Sequence, residues 1–173
     1  MTQRLKKLEA KFLAVLLFAG PATVLPPLTV AAKAATPVAA APAPAQGVIS
    51  QASDYGFDET VVRLKADIAA KGIRFFDEID HTQLGADAKL PIRRSTLLLF
   101  GNPPLGVQFL QSNPLAGLDW PVRMLVTEDA NGTVRVSWTD FRFIATRYGL
   151  TDRDAQIAMA SEVAASIASS TRK

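Results

Sequence analysis

Leu97-Leu98-Leu99-Phe100-Gly101-Asn102-Pro103, with its continuation Asn113-Pro114-Leu115-Ala116-Gly117-Leu118-Asp119-Trp120-Pro121-Val122-Arg123, decides how this chain is read. Thr96 to Phe100 is almost unbroken in its apolar character, which predicts a strand covered on both faces or central in its sheet. Asn102 then stands where a helix N-cap is expected, with Pro103 at the first helical position and the helix running towards Gln111. The amides at that helix start, after Gly101, offer an alternative use as an anion seat. Asn113-Pro114 and Asp119-Trp120-Pro121 end the helix and re-aim the chain, because proline fixes φ and removes a donor. Such a density of backbone constraints predicts a shaped surface loop system.

Downstream, Val122 to Glu128 and Thr133 to Thr139 alternate as a hairpin across Asp129-Ala130-Asn131-Gly132, whose Asn-Gly supplies the left-handed conformations of a tight turn. The inward sets are Val122, Met124, Val126 and Val134, Val136, Trp138, and matching them sets Val126 against Val134 and Met124 against Val136. Arg123, Leu125, Thr127, Arg135, Ser137 and Thr139 then share the opposite face. A short helix from near Asp140 to Gly149 follows. A longer one is expected to be capped by Thr151 with Asp154 as its capping-box partner, burying Ile157, Ala160, Ala164 and Ile167.

Upstream, Val48 to Ala52 reads as a strand. The helix after it is expected to be capped by Asp58, with Phe57 stapled onto Val62. Val61, Leu64 and Ile68 form its apolar stripe, and Gly72 ends it. Ile73 to Asp80 alternates as a strand with Ile73, Phe75 and Ile79 on one face, and His81 lies at its end. Together these elements predict an α+β, two-layer domain with a mainly antiparallel sheet of four to five strands and helices on one face.

Residues 1–34 read as a secretory signal. Arg4, Lys6, Lys7 and Lys11 precede the uncharged Phe12 to Ala19, and Ala32-Lys33-Ala34 offers a small-residue cleavage pattern. The uncharged reach to Ala32 has the length of a bilayer span, but Gly20, Pro21, Pro26 and Pro27 interrupt it. Cleaved export to the periplasm or the medium is therefore the first expectation, and a retained membrane anchor the alternative. Residues 35–47, nearly all Ala and Pro, read as an extended spacer. Residues 48–173 are expected to form a single domain.

The chain's 19 basic and 16 acidic residues mislead until the leader is removed, because residues 1–34 hold five of the former and one of the latter. The remainder, 14 against 15, is near neutral. Nucleic acid is thereby disfavoured as a partner, since it normally requires a basic domain or stripe. The chain contains no cysteine, which excludes thiol catalysis, disulfides and thiolate metal sites.

Phe57-Asp58-Glu59-Thr60, Ile79-Asp80-His81, Phe100-Gly101-Asn102-Pro103 and Pro114 through Arg123 together give the chain a resemblance to a known family, domain of unknown function 302. The resemblance covers Val48 to Leu150 and implies a compact α+β fold similar to the two-layer arrangement of the TATA-binding protein, without an established activity. Thr82-Gln83 after the histidine, Arg94-Ser95 before the central strand and Phe141 after Asp140 depart from the family pattern.

His81, the only histidine, is the first candidate for acid–base chemistry, with Asp80 beside it. A metal site built from His81 with Glu78, Asp80 or Asp119 lacks a second imidazole or a thiolate, so no metal is expected, and the sequence specifies no cofactor. Arg123 and Arg135, on one hairpin face, suit a small anionic ligand or a second copy of the chain in a homodimer. Trp120, between Asp119 and Pro121, suits a rim anchor for a ligand or protein partner or a plug closing the loop. No Gly-x-Ser-x-Gly elbow is present, which disfavours the usual serine hydrolase chemistry. The expected role is thus an exported binding module for a small ligand or protein. The alternatives are an enzyme using His81 with Asn102, Asp119 and Arg123 as positioning groups, and a purely structural interaction module. All three place His81, Asn102 and Asp119 around one concavity.

Overall fold

The computed structural model describes residues 45–173. The expected signal segment and nearly all of the spacer lie outside the described residues. Five strands, β1 (Val48–Ala52), β2 (Arg74–Asp80), β3 (Ser95–Gly101), β4 (Val122–Glu128) and β5 (Val134–Thr139), form one antiparallel sheet in the order β1-β5-β4-β3-β2. The helices are α1 (Phe57–Ala70), α2 (His81–Asp87), α3 (Pro103–Ser112), α4 (Phe141–Tyr148) and α5 (Asp154–Ser169), with a 3₁₀ turn at Pro114–Asp119.

Alternation along the three adjacent strands β3, β4 and β5 builds the core. Leu98, Phe100, Met124, Val126, Val136 and Trp138 point to one side and are buried there against Leu64 and Ile68 of α1, Phe109 of α3, Phe141 and Ile144 of α4, and Ala164 and Ile167 of α5. The stripe predicted for α5 is the stripe that is buried. The domain is therefore α+β, with a helical layer on one face of a five-stranded antiparallel sheet.

The hairpin register differs from the expected one by two residues. Val126 pairs with Val136, Met124 with Trp138, and Glu128 with Val134. A two-residue shift keeps every side chain on its own face, so the inward and outward sets survive. The loop is fixed by Asp129, whose carboxylate accepts the Asn131 and Thr133 amides at 2.8 and 3.0 Å, while Gly132 adopts φ +78°. Those two amides hold the Asp129 carboxyl below the usual carboxylate range.

In β2 the expected alternation fails for a local reason. A bulge between Phe75 and Asp77 leaves Phe76 without a partner in the ladder. Phe75 pairs with Phe100, and Glu78 and Asp80 pair with Leu98 and Thr96, so these three share the helix side. Ile79 pairs with Leu97 on the opposite side. Phe75 and Ile79 are thus on different faces. Lys65 of α1 reaches Glu78 at 2.6 Å and lies over the Phe75 ring, consistent with this assignment.

The helix ends require four corrections. Gly56 is the N-cap of α1, and Asp58 lies inside the first turn, where Arg94 binds its carboxylate with two nitrogens. Val62 is exposed, whereas the Phe57 ring is buried beneath the Arg94 guanidinium. Arg153, not Thr151, is the N-cap of α5, and it offers no side-chain cap bond. Asn102 is the N-cap of α3 without a side-chain cap bond. The anion seat proposed there has no free donors in its first turn, because Pro103 and Pro104 lack N–H groups and the Leu105 and Gly106 amides already bond the Asn102 carbonyl.

Helix α4 follows expectation. Asp140 accepts the Arg142 amide at 2.9 Å, and Gly149 ends the helix at φ +63°. No atom would crowd a Cβ at Gly149, so a substitution there meets only the backbone penalty of the left-handed region. Gly149→Ala should lower stability by about 1 kcal/mol, measured as a shift of the urea midpoint with an unchanged slope.

Candidate functional site

The residues proposed from sequence fall into two groups at opposite ends of the sheet. Ser95 pairs with Thr127, and Thr127 with Arg135, so Asp80, His81 and Arg135 lie at the end where β3 begins. Phe100 pairs with Val122, so Asn102, Asp119, Trp120 and Arg123 lie at the end where β3 finishes. Seven residues of extended chain from Ser95 to Asn102 correspond to roughly 20 Å. The expected convergence of His81 with Asn102 and Asp119 is therefore not realised, and with it goes the geometry of an acid–base site built from those three.

At the first end, the Asp80 carboxylate caps α2 by accepting the Gln83 amide at 3.0 Å. It is occupied with the backbone, not with the imidazole. His81 Nδ1 lies 3.1 Å from Ser95 Oγ, and the Thr82 hydroxyl accepts the Ser95 amide at 2.9 Å. The histidine thus pins the first turn of α2 to the start of β3. Arg135 is exposed on the outer face and forms no salt bridge among the described residues. Its partner in the ladder is Thr127, four residues from Arg123, so the two arginines do not make a joint clamp.

At the second end, the chain bends through Asp119, Trp120 and a cis Trp120–Pro121 peptide. The Asp119 side chain is only 5% exposed, and its oxygens take hydrogen bonds from Arg123, from Arg147 at 3.2 Å and from the Tyr148 hydroxyl at 2.7 Å. A buried carboxylate satisfied three times over ties the bend to β4 and α4. Arg147 and Tyr148 carry no signal in the sequence that would mark them as its partners. Bonding to Asp119, reinforced by burial, holds the Tyr148 phenol above its ordinary range.

Trp120 lies across the backbone of the neighbouring elements. A Cβ on Gly106 would sit 1.8 Å from the indole Nε1, and one on Gly101 would sit 3.2 Å from it. Glycine at 106 is therefore what lets the ring lie against α3. The indole is also met edge-on by Phe76, the bulged residue of β2, with ring centres 5.6 Å apart.

Beside this ring the inner face opens into a cavity of about 310 Å³. Phe100, Phe109, Trp120 and Phe141 supply its aromatic walls, and Ala160 and Ala164 of α5 leave it room. Lys71 and Asn102 are among its polar lining groups. Of the residues proposed from sequence, Asn102 and Trp120 line this space; Asp119 and Arg123 brace it from behind. Small residues on α5 and the glycine of α3 are the sequence signals that could have revealed it. Among the described residues, no cluster of three His, Cys, Asp or Glu side chains is arranged to hold a metal ion.

This two-layer α+β architecture, with an apolar cavity between sheet and helices, defines the class of domain. A family model, "Domain of unknown function DUF302", matches residues 49–170, and the chain belongs to that family. The crystal structure of an uncharacterized conserved DUF302 protein from Bacillus stearothermophilus superposes with a TM-score of 0.68 at 19% identity, covering 74% of this chain and 100% of that one. That likeness concerns the fold alone. Over 104 residues the chain is 32% identical to proteins named fluoride-specific ion channel FluC 1 of Brucella suis and of Brucella abortus, covering 60% of this chain. It spans only 41% and 38% of those relatives' lengths. Among the described residues, no helix is long and apolar enough to cross a membrane.

Two outcomes test this geometry. Gly106→Ala should displace the indole and cost about 1–3 kcal/mol by overpacking, read as a red shift of tryptophan emission together with a lower melting temperature. Tyr148→Phe should flatten the loss of stability on the alkaline side. The unfolded phenol releases its proton near about pH 10 while the folded one retains it, so the native chain binds more protons there and stability falls as pH rises towards the folded pKa. Urea titrations between about pH 9 and 11.5 should show a shallower decline in the variant.

Proposed function

We propose that this domain is an exported small-ligand-binding module of the bacterial cell envelope. The observation that carries the reading is the open-sided cavity of about 310 Å³ walled by Phe100, Phe109, Trp120 and Phe141 against the core. Native interiors are close-packed, and a space of this size lined by aromatic side chains with few polar groups is the ordinary form of a ligand site. The basic, apolar leader supports export. The likeness to part of proteins named as ion channels supports a place near a membrane. Fluoride conduction belongs to the name of those longer relatives.

Native mass spectrometry of protein recovered from the periplasm tests the reading. A bound small molecule should accompany the domain, persist in His81→Ala and vanish in Val163→Phe, which fills the cavity from α5. The recovered chain should begin just after Ala34; a chain retaining its first 34 residues would favour the anchored form. Turnover of any co-purified molecule, abolished by His81→Ala alone, would favour the enzyme.

A second reading, a protein partner or a second copy of the chain, is favoured by the outer sheet face. There Leu97, Leu99 and Leu125 of the central strands are only half-buried, and among the described residues the buried core lies on the opposite face of the sheet. Leu125→Lys should convert a dimer to monomer in analytical ultracentrifugation without lowering the melting temperature by more than a few degrees. A chain monomeric at all concentrations would remove the homodimer.

A further inference from the structure

The cavity has a charged end and an apolar end, and their chemistry narrows what it takes. Among the described residues, Lys71 is the one charged residue lining it. It follows the last residue of α1, three positions before Arg74, and Arg74 pairs with Gly101 across β2 and β3. Lys71 and Asn102 therefore flank the same rim. Asn102 lines the cavity, and its side chain makes no capping bond to α3.

Asp67 and Arg74 stand near Lys71 in the chain. Asp67 pairs with Lys71 one turn along α1, and Arg74 lies over the Phe76 ring, 5.0 Å from its centre. Among the described residues, the one charge lining the cavity itself is positive, and it is paired with Asp67. Away from the rim, Phe109, Phe141, Ala160 and Ala164 offer no polar side chain.

We propose that the cavity binds a small apolar monocarboxylate, its body against Phe100, Phe109 and Phe141 and its carboxylate at Lys71 and Asn102. The proposal rests on the small-ligand reading of the same cavity and adds the ligand's class. A carboxylate arriving at Lys71 meets an ammonium already set beside a carboxylate, and exchanges with Asp67 or shares the lysine with it. An uncharged isostere meets the same walls without that exchange, so the two should differ by the charge interaction alone.

Isothermal titration calorimetry of the purified, ligand-stripped chain with 2-naphthoate and its neutral isostere 2-naphthamide tests this. Naphthoate should bind at least tenfold more tightly than naphthamide, and its advantage should shrink with added salt. Lys71→Met should bring naphthoate down to the naphthamide level and leave naphthamide unchanged, and Val163→Phe should weaken both. If naphthamide binds as well as naphthoate and Val163→Phe abolishes both, the monocarboxylate proposal is overturned and the small-ligand reading stands. If a naphthoate preference survives Lys71→Met, or binding is indifferent to Val163→Phe, the assigned site is wrong. If neither compound binds while circular dichroism shows an intact fold, this proposal falls; a co-purified mass lost in Val163→Phe would still uphold the small-ligand reading.

Discussion

The indole of Trp120, lying against the backbone of Gly106 and close to Gly101, is the contact on which this end of the molecule depends. It brings α3 within van der Waals reach of the bend before β4, and it walls the cavity on that side. A flat ring can hold such a position only if its own backbone is fixed, and the buried Asp119 provides that through Arg123, Arg147 and Tyr148. The arrangement has a front and a back. Aromatic surface faces the cavity, and an ion-paired carboxylate braces the turn behind it, so the residues that resemble a catalytic cluster in sequence serve to keep a wall in place.

Much of the layer architecture is legible from periodicity because burial imposes it directly. The inward sets of β4 and β5, the stripe of α5 and the glycine stop of α4 all follow from one face meeting the core. The hairpin register escaped by two residues because face alternation has period two and is blind to even shifts. The bulge at Phe76 adds a residue without any local composition that announces it. Helix α2 left no trace because it buries none of its residues; it is held by the Asp80 cap and by the Thr82 and His81 bonds to Ser95. The division of the candidate residues followed from the strand between them, since proximity along the pattern says nothing about which end of a sheet a loop occupies.

The three places where this chain departs from the family pattern all make defined contacts. Thr82 accepts the Ser95 amide and fixes α2 to the sheet. Arg94 binds Asp58 and covers the Phe57 ring, holding the first turn of α1 against the segment entering β3. Phe141 stands over the cavity with Phe109, their ring centres 6.4 Å apart. Two of these positions lie at the joint at one end of β3, while the third lines the chamber towards the other.

The bulge in β2 has a consequence for life at high concentration. Among the described residues β2 is an outermost strand, and its unpaired side would otherwise present an even row of amides and carbonyls to any passing chain. The extra residue breaks the spacing of that row, and Arg74, Asp77, Glu78 and Asp80 strew it with mixed charge. A neighbouring molecule would have to bury those charges and match an irregular repeat to dock there as a sixth strand. The same insertion that brings Phe76 onto the indole thus discourages ribbon-to-ribbon growth into fibres.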